Sequence, residues 1–116
     1  NGGVMMTPHF YKSSKGDEKD WGEGERAISG DAASQVTSCM QTVVSEGTGV
    51  AGAVDGYDVA GKTGTAENPA GKDHAWFIGS AELPERKIVF AIIVENGGGG
   101  GIEAAPIAKQ MIESLM

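Results

Sequence analysis

The sequence predicts an α+β chain, an antiparallel sheet of at least three strands packed with helices. Two observations carry this. Apolar residues recur at three- and four-residue intervals in residues 30–46 and again in 103–116, the spacing of one helix face. Between them lie three runs with strand character, 57–66, 74–82 and 86–95, joined by short turn-forming segments.

Residues 4–11 read as extended chain, with Pro8 marking an edge or a break. Residues 12–25 are charged and glycine-containing, a solvated surface loop with Trp21 as its large anchor. The first helix carries the stripe Ala32, Ala33, Val36, Cys39, Met40, Val43 and Val44, capped by Ser29 or Asp31 and ended by Gly47. Cys39, the one cysteine, is expected there as a buried structural thiol. Pro84-Glu85 is a turn between the second and third strands. The third strand holds an unbroken apolar run from Ile88 to Val94, which predicts burial on both faces. Its six large side chains, at roughly 1.5–3 kcal/mol each, would contribute on the order of 10 kcal/mol. Asn96 and the glycines 97–101 read as a flexible loop. The last helix presents Ala104, Ile107, Ala108, Met111, Ile112 and Leu115, and Pro106 requires it to start close before that residue.

Composition narrows the function. Nine Lys and Arg against sixteen Asp and Glu give a net charge of −7, which disfavours nucleic-acid binding. There is no disulfide framework, and no His, Cys or carboxylate cluster has metal-ligand spacing; no metal or cofactor is implied. No apolar run approaches the ~20 residues of a membrane span, and no signal peptide is visible. The chain opens on Asn1-Gly2-Gly3 rather than Met, so it reads as a piece of something longer.

The stretch GYDVAGKTGTAE, residues 56–67, supports two incompatible chemistries. Gly56, Gly61, Lys62 and Thr63 satisfy the phosphate-loop pattern. Lys62-Thr63-Gly64 is equally the K-T-G triplet of penicillin-recognising acyl transferases. A phosphate loop needs a helix starting at the Lys-Thr pair, whose free N–H groups hold the phosphate. Here Gly64 and Pro69 oppose a helix and the next segment is strand-like, so the nucleotide reading fails on context. The plain structural alternative is a polar edge strand with a turn.

Context moves the balance. Val59 to Glu67, a short loop, then His74-Ala75-Trp76-Phe77-Ile78-Gly79, an apolar strand and a terminal helix resemble the C-terminal end of a penicillin-binding protein transpeptidase domain, most of all the high-molecular-weight class B type. Asn1-Gly2-Gly3 with Met6-Thr7-Pro8, Val43-Val44 with Gly47-Thr48-Gly49, and Val94-Glu95-Asn96 with its glycines agree with that resemblance, which covers nearly all of residues 1–116. It implies a β-lactamase/transpeptidase-like fold. The family's Ser-x-x-Lys and Ser-x-Asn motifs are absent: Gly16 and Asp17 stand three positions after Ser13 and Ser14, and neither Asn68 nor Asn96 has Ser two positions before it. The chain is therefore expected to be an incomplete domain, inactive alone.

The resemblance implies serine acyl transfer from a peptidyl-D-Ala-D-Ala stem to a neighbouring amine, with β-lactams imitating the donor. Lys62 and Thr65 would be the catalytic residues present, and Lys62, Thr63, Gly64 and Thr65 would bind substrate. A cation about 4 Å from the donor's carboxylate interacts by roughly 4 kcal/mol at an effective dielectric near 20. Strand alternation puts Thr63 and Thr65 on one face and Lys62 on the other. The resemblance suggests that Lys62 reaches toward the missing Ser-x-Asn serine, and that the Thr65 N–H is one of two oxyanion donors, each worth ~3 kcal/mol in the barrier. A free strand edge, with no side chain at Gly64, can receive an extended peptide.

Trp76 is a possible cleft-lining residue; His9 and His74 read as polar structural groups, and Glu67 as a residue steadying the loop. Expected partners are the stem peptide, β-lactams and the remainder of the domain, with a homo-oligomer possible through an exposed sheet edge. The parent would act outside the cytoplasmic membrane, held by an anchor not in this chain. The same strand would also serve a D,D-carboxypeptidase or β-lactamase, or a non-catalytic cell-wall sensor.

Overall fold

The computed structural model describes residues 1–10, 13–14, 17–18 and 20–116. They form two compact units, Asn1–Val36 and Thr37–Met116.

In the first unit β1 (Val4–Met5) pairs antiparallel with β4 (Glu25–Arg26), and β2 (Ser13–Ser14) with β3 (Asp17–Glu18). The expected extended stretch 4–11 thus shortens to two ladder residues, and the expected loop 12–25 contains short strands. Tyr11, Lys12, Lys15, Gly16 and Lys19 lie outside the described residues. Close backbone approach makes the β1–β4 pairing possible: a Cβ on Gly24, at φ +80°, would lie 2.7 Å from the Met5 carbonyl. Arg26 Nη1 donates to the carbonyls of Gly2 and Ile28, both at 3.0 Å. Trp21 does act as an anchor, stacked on His9 with ring centroids 4.4 Å apart.

Helix α1 (Gly30–Ser45) starts in the first unit and ends in the second. Ser29 is its cap, its Oγ accepting the Ala32 N–H at 3.1 Å. Its end is fixed by the Gly47 and Gly49 amides, which both donate to the Val43 carbonyl. Only Val44 at its C-terminal end enters the core of the second unit. Cys39 is exposed, which corrects the expectation of a buried thiol: an apolar stripe shows which residues share a face, not how far along the helix that face is covered.

The second unit is built on one antiparallel sheet in the order β5 (Asp58–Ala66), β6 (His74–Leu83), β7 (Arg86–Val94), packed against α2 (Gly100–Glu113). The register sets Thr63, Phe77 and Ile92 side by side, and on the other face Lys62, Ile78 and Ala91. The first face carries the core: Ala75, Phe77 and Ala81 lie under Ala104, Ala105, Ala108 and Ile112 of α2, all fully buried. Those alanines bring the helix backbone close to the sheet. The Phe77 ring fills a space left by glycines. A Cβ at Gly52 would lie 2.8 Å from its Cε1, one at Gly49 3.1 Å from its Cε2, and one at Gly61 would overlap its Cζ.

Two expectations are corrected here. Burial alternates along β7, and Val89 is 84% exposed with Ile93 at 45%, so the strand is covered on one face only. An unbroken apolar run records what a strand suits, whereas among the described residues α2 packs on a single face. Helix α2 also begins at Gly100, so Pro106 stands in its second turn rather than its first. The early turn persists because it is wedged against β5 and β6: a Cβ at Gly100 would overlap the Trp76 carbonyl oxygen and lie 3.0 Å from the Gly64 nitrogen. Tertiary packing there outweighs the proline's local cost of ~3 kcal/mol.

Candidate active site

Lys62, Thr63, Gly64 and Thr65 lie in the middle and C-terminal half of β5, which has β6 on one side and, among the described residues, no strand on the other. Alternate N–H and C=O groups of β5 therefore face away from the sheet. Lys62 sits inside a continuous strand rather than at a helix start, which removes the phosphate-loop reading.

An open groove of about 690 Å³ runs along this edge. One wall is Lys62 to Thr65; the others are Gly47, Thr48 and Val50 below α1 and Gly99 to Ile102 at the start of α2. Three sequence-distant segments meet there for steric reasons. Gly101 packs on the Thr48 carbonyl so closely that a Cβ would overlap it, and Gly100 packs on Gly64. The Thr48 and Thr63 hydroxyls share a hydrogen bond of 2.6 Å. Among the described residues that line the groove, Lys62 is the one charged side chain. The positive end of the α2 dipole lies at the same place, and both favour an anion.

Thr63 and Thr65 share one face of β5 and Lys62 stands on the other. The Lys62 side chain is exposed, and its Nζ donates to the Thr63 carbonyl at 2.6 Å. Trp76 is half-buried opposite Gly64, on the Lys62 face, and is not among the groove's lining residues. Glu67 is exposed; the loop after β5 is instead steadied by Asn68, whose Oδ1 accepts the Ala70 N–H and whose Nδ2 donates to Lys72 O and to Asn96 Oδ1. Thr48 and Gly100 line the groove and Asn68 and Asn96 tie the loops near it, none of which sequence reasoning singled out for these roles. The glycine run beside a K-T-G strand was the available signal for Gly100.

The model of the penicillin binding protein transpeptidase domain matches residues 1–113. The chain belongs to the penicillin-binding protein transpeptidase family. Its relatives in that family are of the class B type. Peptidoglycan D,D-transpeptidase PbpA of Mycobacterium tuberculosis is 34% identical over 136 aligned positions, covering 100% of this chain and 26% of PbpA. Stage V sporulation protein D of Bacillus subtilis is 34% identical, with 100% and 21% covered. Among solved structures, penicillin-binding protein A of M. tuberculosis as an imipenem acyl-enzyme superposes with a TM-score of 0.79 at 34% identity, over 100% of this chain and 28% of that one. The chain thus spans about a quarter of the length of the penicillin-binding proteins it matches.

Proposed function

We propose that this chain is the C-terminal segment of the transpeptidase domain of a peptidoglycan D,D-transpeptidase. In this reading it supplies the K-T-G wall of a site whose nucleophilic serine comes from the remainder of the domain. The observation that carries the proposal is the groove along the free edge of β5, walled by Lys62 to Thr65 and by the start of α2. The names of its relatives agree with this chemistry, and the chain has no Ser-x-x-Lys of its own.

The peptidyl-D-Ala-D-Ala donor lies along β5 as an added strand, its backbone paired to the outward N–H and C=O groups. Its terminal carboxylate is held by the Thr63 and Thr65 hydroxyls in the positive field of Lys62 and the α2 N-terminus. The serine attacks the penultimate carbonyl, the Thr65 N–H stabilises the oxyanion, D-alanine leaves, and an amine of a second stem takes the acyl group. Lys62 reorients from the Thr63 carbonyl toward the hydroxyl groups of the completed site. A β-lactam enters the same groove and acylates the same serine. This work belongs outside the cytoplasmic membrane, where stem peptides are cross-linked.

Labelling with a fluorescent penicillin tests the reading. The intact protein is labelled, the isolated chain is not, and a co-expressed upstream segment restores the label. Lys62→Ala removes it and Glu67→Ala leaves it unchanged. An intact protein that stays unlabelled would point to a binding module without the acylation step.

A further inference from the structure

Two loops flank the K-T-G strand end: residues 67–73, after β5, and residues 95–99, between β7 and α2. A compact polar latch ties them. The Asn96 N–H donates to His74 Nδ1 at 3.0 Å, Asn68 Nδ2 donates to Asn96 Oδ1 at 2.6 Å, and the Gly98 N–H donates to the Asp73 carbonyl at 2.8 Å. The Asn68 N–H donates to Asp73 Oδ1 at 3.3 Å and closes the first loop on itself.

The latch holds a backbone that would not hold itself. Asn96 has φ +56°, alone among the described non-glycine residues in being positive. That left-handed conformation sends the chain from β7 into Gly97 to Gly101, which has no side chains to fix its path. At the far end of that path Gly100 seats on Gly64 and Gly101 on Thr48, forming one wall of the groove. The wall is thus as well placed as the turn that launches it.

A backbone N–H can only donate, so His74 Nδ1 is the acceptor in this hydrogen bond. We propose that His74 and Asn96 are positioning residues for the acyl-transfer site. His74 Nδ1 accepts the Asn96 amide N–H and holds the left-handed turn that delivers the glycine loop onto the K-T-G strand. The proposal rests on the acyl-transferase reading above. His74 touches neither Lys62 nor Thr65 through any hydrogen bond and acts through the loop.

The experiment is the rate of acylation of the intact protein by a fluorescent penicillin, with thermal unfolding followed to show that each variant is folded. His74→Phe keeps a flat ring and loses the acceptor; acylation should slow by roughly tenfold, the worth of one good hydrogen bond. His74→Asn places an amide oxygen where Nδ1 stood and should bring the rate back to within about twofold of the parent. Asn96→Gly accepts the positive φ and keeps its N–H but loses the Oδ1 that accepts from Asn68, so it should slow acylation less than Asn96→Ala, which loses the same oxygen and also strains the turn. A full rate in His74→Phe and in Asn96→Ala, or an Asn variant of His74 as slow as the Phe one, overturns the proposal. If the parent protein is not acylated at all, the acyl-transferase reading falls first, and this one with it.

Discussion

The two faces of the β5–β6–β7 sheet are built on opposite principles. The face toward α2 is completed by the chain itself: Phe77 and Ile112 are fully buried, alanines line the contact, and glycines make room for the aromatic ring. The other face carries Lys62, Ile78, Val89 and Ile93, all exposed. Its aliphatic side chains have the composition of a core without the cover of one. The covered face gives the second unit its stability; of the groups assigned to chemistry, Lys62 stands on the open face, whereas Thr63 and Thr65 lie at the β5 edge of the covered one. We expect the rest of the transpeptidase domain to lie over that open face, where it would cover the half of the β7 apolar run that this chain leaves exposed.

The comparison can be broken, beginning with its strongest consequence. Phe77→Ala empties the glycine-walled space on the closed face and should cost about 3–5 kcal/mol in denaturant unfolding of the intact protein. A loss near 1 kcal/mol would mean that the closed face collapses around the gap and is not tightly packed. Val89→Asp tests the open face. If the remaining domain covers it, an unpaired carboxylate there should cost about 2–3 kcal/mol in the intact protein. A change within about 0.5 kcal/mol would show that the face stays in water.

Gly100→Ala pushes a methyl group against the Trp76 carbonyl and Gly64, and should cost about 1–3 kcal/mol while also slowing penicillin labelling, because the α2 wall must back away from β5. Stability loss without any change in labelling would separate the wall from the site. The smallest effect is expected at the Glu82–Lys87 ion pair, which spans β6 and β7 on the open face with both side chains about half exposed. Lys87→Ala should change stability by less than about 0.5 kcal/mol and become neutral at high salt.

The sequence by itself determined the helix, three strands and helix that follow residue 29, the strand character of residues 57–66 and the alternation that parts Lys62 from Thr63 and Thr65. These are local properties, set by periodicity and by Gly64 and Pro69 opposing a helix. Family likeness was legible too, because KTGTAE and HAWF are contiguous strings. Only the tertiary structure decided which face α2 would cover, why Pro106 could stand in a second turn, and where Cys39 would lie. It alone brought Thr48 to Thr63, and Asn96 to His74 and Asn68 across 22 and 28 residues of chain. The physical reason is that a hydrogen bond between distant loops leaves no periodic trace in a sequence, and coverage depends on what packs from outside the strand. A residue pattern states which faces could be buried; the packing of other elements selects the one that is.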